Sequence, residues 1–191
     1  MLASIILSAG ASSRMGSPKA LLPYQGRSFL EHLLRVLEHP KIGVRRVVLG
    51  AKSEGITSAV ALRADEIVIN ENWELGQLSS IQAALRSFPP GTDGVLLTLV
   101  DHPFLSGHLV NDLIECFYQS GKSIVLPVYQ GRRGHPVIFS SALYDELFAA
   151  PLKTGARAVV WAHQDDISEV QTMEEGCVLN LNDPDAMAKL R

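Results

Sequence analysis

The chain has two cysteines in 191 residues, Cys116 and Cys177, far apart and outside any C-x-x-C pair. One isolated pair argues against a disulfide framework and for buried thiols in a reducing compartment. An excess of one charge is also lacking. Seventeen Lys and Arg stand against twenty Asp and Glu, a net charge of −3. That balance gives no reason to expect nucleic-acid or membrane-surface partners. The six histidines are dispersed, with no cluster of metal-binding type. The N-terminal apolar run, residues 2–7, has no basic segment before it. It is too short for a signal sequence and far too short to span a bilayer. These absences lead to the expectation of a cytoplasmic protein. Linkers, low-complexity tracts and internal repeats are missing too, so residues 1–191 are expected to form one domain with a sizeable core.

Two common nucleotide-binding motifs are absent as well. The stretch Leu7-Ser8-Ala9-Gly10-Ala11-Ser12-Ser13-Arg14-Met15-Gly16-Ser17-Pro18-Lys19 follows a buried apolar run. No Gly-Lys-Ser/Thr triplet closes it, and it has two glycines rather than the three of the dinucleotide fingerprint. It nevertheless joins a strand to a helical pattern through small residues, an Arg and a Lys. Bare backbone N–H groups and two cations suit a polyphosphate. Gly10 and Gly16 permit close backbone approach. Arg14 is able to grip phosphate in a bidentate way and Lys19 as a point charge. The plain alternative, two solvated loop charges, weakens because a ligand crevice is expected at this point.

That expectation comes from the chain-wide pattern. Strands are predicted at residues 4–7, 46–49, 66–69, 95–99, 123–128, 137–139 and 169–172, with a further one at 178–179. Several are continuous Val/Ile/Leu runs, as in strands covered on both faces. Helices are predicted at 28–37, 53–62, 78–86, 107–119, 141–149, 154–163 and 184–190. The alternation implies a three-layer α/β/α, doubly wound, mostly parallel sheet of Rossmann-like type. Its crevice lies at the carboxyl ends of the strands. Gly131-Arg132-Arg133-Gly134 joins two strand candidates, which predicts a hairpin-like excursion with an antiparallel strand.

Four further elements carry chemistry. Asp101 ends the hydrophobic run Leu96-Leu97-Thr98-Leu99-Val100, and is placed to hold a divalent cation beside phosphates. It serves equally well as a cap for the turn or for the helix near Ser106. Gly76-Gln77-Leu78-Ser79-Ser80 opens a helix and offers N–H groups and hydroxyls to a base or ribose, or simply a cap at Ser79 or Ser80. Gly134-His135-Pro136 reads as a turn with an imidazole near a strand start. Asn180 and Asn182 alternate onto one side before Pro184, a pattern that also starts a helix.

Together these elements resemble the MobA-like nucleotidyltransferase family, and within it the molybdenum cofactor cytidylyltransferases. The resemblance runs along almost the whole chain. The family's Leu-Ala-Ala-Gly-x-Ser-x-Arg-Met-Gly-x-x-Lys matches Leu7 to Lys19, with Ser8 in place of Ala. Leu21-Leu22-Pro23 and Gly26 also match. Gly-x-x-x-Ser-Leu resembles Gly76 to Ile81, and Leu-x-Asp-Gln-Pro matches Leu99 to Pro103 with His102 in place of Gln. Gly-His-Pro-Val-x-Phe matches Gly134 to Phe139 unchanged, and Asn180 to Pro184 resembles the last element, with Asp183 in place of Thr.

The resemblance implies a magnesium-dependent enzyme that moves CMP from CTP (or the guanylyl group from GTP) to the molybdopterin cofactor and releases pyrophosphate. A molybdoenzyme receiving the product is a further implied partner. The nucleotide would meet Leu7, Ser8, Ala9, Gly10, Ala11, Ser12, Ser13, Arg14, Lys19, Gly76, Ser80 and Asp101. Arg14, Lys19 and Asp101 would carry catalysis. Asp101 and Asn182 would hold Mg2+. His102, His135, Asn180 and Asn182 would face the acceptor. Ala9 fits the cytidylyl-transferring pattern, its methyl narrowing the space for a purine. Before Gly155-Ala156-Arg157, Leu152 and Lys153 stand where relatives have Gly and Asp. That change leaves open another phosphorylated acceptor, unless the position is only a helix cap that Thr154 supplies. A non-catalytic carrier of the cofactor is the binding-module alternative.

Overall fold

The computed structural model describes residues 1–10 and 17–181. The chain runs β1 (Leu2–Ser8), β2 (Pro23–Tyr24), β3 (Arg27–Ser28), α1 (Phe29–Val36), β4 (Ile42–Leu49), α2 (Ser53–Ala59), β5 (Ile67–Ile69), α3 (Gln77–Leu85), β6 (Gly94–Leu99) and α4 (Gly107–Ser120). It continues with β7 (Ile124–Tyr129), β8 (Arg132–Arg133), β9 (Val137–Ser140), α5 (Tyr144–Ala149), α6 (Arg157–Ala162) and β10 (Ile167–Gln171). The main sheet has the order β10-β7-β9-β6-β1-β4-β5, with β8 added to β7. Strand β9 is antiparallel to both neighbours, and the remaining pairs on that path are parallel.

The central strand shows why the apolar runs are continuous. In β1, Leu2 and Ile6 join the apolar layer under α1, α2 and α4, while Ala3, Ile5 and Leu7 join the layer under α3, α5 and α6. Successive side chains alternate faces, so a strand covered on both sides needs apolar residues throughout. Helix α1 carries Leu30, Leu33 and Leu34 into the first layer. A capping box starts it: the Ser28 hydroxyl accepts from the Glu31 N–H, and the Glu31 carboxylate accepts from the Ser28 N–H at 2.8 Å.

Several expectations need correction. Residues 178–179 are not a strand; Val178 closes a 3-10 turn at Glu175–Cys177 with near-helical dihedrals. The strand expected from residue 66 begins at Ile67, because Glu66 finishes a 3-10 turn and binds Arg45 Nε at 2.7 Å. The helix expected at 154–163 is only Arg157–Ala162, and Thr154 does not cap it: Ala156 stands there without a side-chain bond. Ser79 and Ser80 lie inside α3, whose N-cap is Gly76 at φ +100°. Asp101 does not cap α4, because the Ser106 hydroxyl accepts from the Leu109 N–H at 3.1 Å. The helix expected at 184–190 lies outside the described residues.

Candidate active site at the carboxyl edge

The loops after β1, β4, β5, β6 and β7 all leave the same edge of the sheet, since these strands are mutually parallel. Lys19 and Asp101, 82 residues apart, meet there: Lys19 Nζ donates to Asp101 Oδ2 at 3.0 Å. Their side chains are 16% and 21% exposed. The contact is built by packing. The β2–β3 hairpin that follows Lys19 sends Tyr24 edge-on against Phe104, with ring centroids 5.3 Å apart. His32 on α1 pairs through Nε2 with the Leu105 carbonyl at 3.2 Å. The loop after β1 is thereby clamped to the loop after β6.

The first loop begins beside this pair. Gly10 is exposed, and a Cβ there would meet nothing within 4 Å. Leu7, Ser8 and Ala9 are buried. Ala9 is 7% exposed and packs in the layer with Leu78. Its methyl therefore fills core and does not narrow an open base pocket, which corrects the reading made from sequence. Ala11, Ser12, Ser13, Arg14 and Gly16 lie outside the described residues, as does Asn182.

Gly76 and Ser80 sit at the start of α3, but Ser80 is turned inward. A single amide organises this corner: Asn70 Nδ2 donates to Ser79 Oγ and Ser80 Oγ, both at 2.9 Å, and Asn70 Oδ1 accepts from the Asn72 N–H at 3.0 Å. Asn70 directly follows β5 and was not among the residues expected at the site; an Asn directly after a Val/Ile strand was the available signal. A cavity of about 520 Å3 lies beside this clamp, lined by Asn70, Ser79, Gln82, Arg86 and Leu152 among others. Gly50, also passed over, matters through closeness: a Cβ there would come within 2.5 Å of the Ala9 carbonyl and 2.8 Å of the Trp73 ring.

His102 and His135 do come together, with ring centroids 4.9 Å apart at 63°. His135 is partly buried. His102 is 5% exposed, and Nδ1 of each ring is buried without a hydrogen-bond partner. Burial pushes the His135 imidazole down to about 4, with His102 adding to the effect and Asp101 opposing it. Burial also lowers His102, against the pull of Asp101. Both rings are therefore neutral at pH 7. Asn180 reaches the same edge, because the next residue, Leu181, donates its N–H to the Asp101 carbonyl at 3.0 Å. Among the described residues no group of three or more His, Cys, Asp or Glu is arranged to hold a metal. One partly exposed carboxylate suits a magnesium-type ion that keeps waters and phosphates as its other ligands. No helix among the described residues is long and apolar enough to cross a membrane.

Comparison with known proteins agrees with this geometry. Residues 4–167 match the MobA-like NTP transferase domain. The chain is 32% identical over 147 residues to nicotine blue oxidoreductase of Paenarthrobacter nicotinovorans, covering 73% of this chain and 71% of that protein. It is 34% identical over 128 residues to a probable molybdenum cofactor guanylyltransferase of Rhodopirellula baltica, covering 65% and 60%. It spans only 28% of the bifunctional protein GlmU of Rhodopseudomonas palustris, at 30% identity over 126 residues, covering 64% of this chain. The solved structure of Rv0371c from Mycobacterium tuberculosis superposes with a TM-score of 0.82 at 28% identity, covering 99% of this chain and 96% of that one. A second structure of that protein is a complex with manganese; its TM-score is 0.79 at 26% identity, covering 99% and 97%.

Proposed function

We propose, on the premise that the chain belongs to the MobA-like NTP transferase family, that this nucleotidyltransferase moves CMP from CTP to the terminal phosphate of the molybdopterin cofactor. The observation that carries the reading is the meeting of Lys19 and Asp101 between the β1 and β6 loops. It puts a cation for phosphate and a carboxylate for a metal at one point of the crevice. In the ligand-free pair each neutralises the other. With substrate bound, Lys19 would hold the triphosphate and Asp101 would hold Mg2+. The bound metal supplies charge neutralisation on the phosphates. An acceptor phosphate oxygen attacks the α-phosphorus, the bond to the bridging oxygen breaks, and pyrophosphate leaves with its charge facing Lys19. Such transfer depends on positioning and electrostatics more than on a protein base.

By the resemblance, Arg14 and the backbone N–H groups after Gly10, which lie outside the described residues, are assigned to the phosphates. Gly76 and the Asn70-held start of α3 border the nucleoside. Asn180, and by the resemblance Asn182, are assigned to the acceptor. The cytidine preference rests only on the resemblance of Ser8-Ala9-Gly10 to the cytidylyl-transferring pattern, not on the buried Ala9 methyl, and the guanylyltransferase name of the Rhodopirellula baltica relative makes GTP the competing donor. Pyrophosphate release from CTP and from GTP, with molybdopterin cofactor and Mg2+, is the test. Release with CTP and not GTP supports the reading; release with GTP alone moves it to guanylyl transfer; release with neither removes it.

One observation favours a second reading. The Paenarthrobacter nicotinovorans relative is named an oxidoreductase, and a nicotinamide dinucleotide also carries a pyrophosphate. The missing third glycine in the first loop argues against it. Loss of NADH absorbance without pyrophosphate release would favour it.

A further inference from the structure

Neither half of the Lys19–Asp101 contact is free to retreat on its own backbone. Lys19 starts a 3-10 turn in which its carbonyl accepts from the Leu22 N–H at 3.1 Å. The next residue, Ala20, is 1% exposed in the apolar layer under α1. On the other side, the Val100 N–H donates to the Leu7 carbonyl at 3.0 Å and the His102 N–H to the Leu99 carbonyl at 3.1 Å. Both neighbours of Asp101 are thereby tied to the sheet. Residues 172–181 then cross this edge as a strap, and the Leu181 N–H at its end donates to the Asp101 carbonyl at 3.0 Å. The two backbones are fixed, so only the side-chain tips are left to turn. Among the described residues the Asp101 carboxylate makes no other ion pair. A partly buried pair of this kind is costly to break from one side, because the charge left behind has lost its counter-ion.

We propose that the Lys19–Asp101 pair is an interlock that makes the triphosphate and the divalent cation bind cooperatively. Lys19 taken by a triphosphate alone leaves Asp101 facing phosphate, like charge on like charge. Asp101 taken by a cation alone leaves Lys19 facing that cation. When the two ligands enter as one complex, both partners are exchanged together and each side chain keeps a counter-ion. The coupling is reciprocal: each ligand raises the affinity for the other by the same factor. The site thus selects the metal-complexed nucleotide over free nucleotide and over free metal. The interlock rests on the function proposed above, which takes Lys19 to phosphate and Asp101 to metal.

The first probe is inorganic tripolyphosphate in EDTA, which carries no base and so does not depend on the choice between CTP and GTP. Its Kd is measured by isothermal titration calorimetry at fixed ionic strength in the parent, Asp101→Asn, Lys19→Gln and the double variant. With the interlock, Asp101→Asn tightens binding, and the gain is about tenfold larger with Lys19 present than in the Lys19→Gln background. Plain repulsion between carboxylate and phosphate gives an equal gain in both backgrounds, and that result overturns the proposal. The second probe is Mn2+ without nucleotide, read by electron paramagnetic resonance. Lys19→Gln binds it about tenfold more tightly than the parent, and the double variant loses that gain. Lys19→Gln binding Mn2+ no more tightly than the parent also overturns the proposal. Equal gains for tripolyphosphate, with Mn2+ binding still dependent on Asp101, overturn the interlock and leave the site assignment standing. Tripolyphosphate binding indifferent to Lys19 and Mn2+ binding indifferent to Asp101 remove the site assignment and the interlock with it. Circular dichroism reports folding, and Lys19→Met or Asp101→Ser replaces a variant that fails to fold.

Discussion

Gly134→Ala is the sharpest test of how the site is held. Gly134 carries none of the positive φ values found at Gly26, Gly131 or Gly155, so its role is not turn geometry. Instead, a Cβ at this position would lie 2.4 Å from the Cys177 carbonyl oxygen and 2.8 Å from its carbon. Real Cβ contacts do not fall below 3.0 Å, and the opposing atoms are backbone. The strap must therefore retreat by at least about 0.6 Å, which strains the 2.8 Å bond from the His135 N–H to that carbonyl. Overpacking of this kind costs about 1–3 kcal/mol and a lost hydrogen bond about 1 more. At about 2–4 °C per kcal/mol for a domain of this size, a fall in melting temperature of roughly 4–16 °C follows. Gly131→Ala is the control. It sits at φ +76° at the β7–β8 turn with open space around it, so only the left-handed penalty of about 1–2 kcal/mol applies. Differential scanning calorimetry of both variants reads the difference. Gly134→Ala melting within about 2 °C of the parent, or less affected than Gly131→Ala, refutes the close-approach argument.

Asp101→Asn removes the charge at the Lys19 contact and lowers kcat/KM for nucleotidyl transfer by about 100-fold or more, read as pyrophosphate release with a melting temperature near the parent's. Arg45→Met takes from Glu66, which is 2% exposed, the donor at 2.7 Å that neutralises it and leaves only the Arg63 N–H and the more distant Arg63 guanidinium; urea unfolding then shows a loss of about 3 kcal/mol. The His135 imidazole, near 4 when folded and about 6.5 when unfolded, binds its proton more readily in the unfolded chain. Its contribution is complete above pH 6.5 and is lost as pH falls toward 4, about 3 kcal/mol in all, so His135→Asn flattens the stability profile in that window.

Much of the fold was legible because its signals are local. Strands covered on both faces must be mostly apolar, and the runs ending at Leu7, Leu49 and Leu99 are, with Ser4 and Thr98 as buried polar exceptions. The hairpin at Gly131 was legible for the same reason: Gln130 and Gly131 take the positive φ values its tight turn needs. What failed depended on partners distant in sequence. Ser79 and Ser80 looked like caps, yet Asn70 claims their hydroxyls. Ala9 looked like a base-selecting methyl, and packing against α3 buries it. Residues 178–179 looked like a strand because they are apolar, but their apolarity serves a strap.

The sequence by itself determined the layered sheet, the edge at which the site lies, and the residue types gathered there. Periodicity fixes which side chains face a core, and the motifs resemble a family along almost the whole chain. Only the tertiary structure decided which of those residues touch. Lys19 reaches Asp101 across 82 positions because Tyr24 and His32 clamp two loops together. His102 and His135 meet ring to ring across 33 positions, and Gly134 is required because the Cys177 carbonyl leaves no room for a methyl group. Such contacts follow from shape and from the exclusion of water in the folded chain, neither of which has a period in sequence.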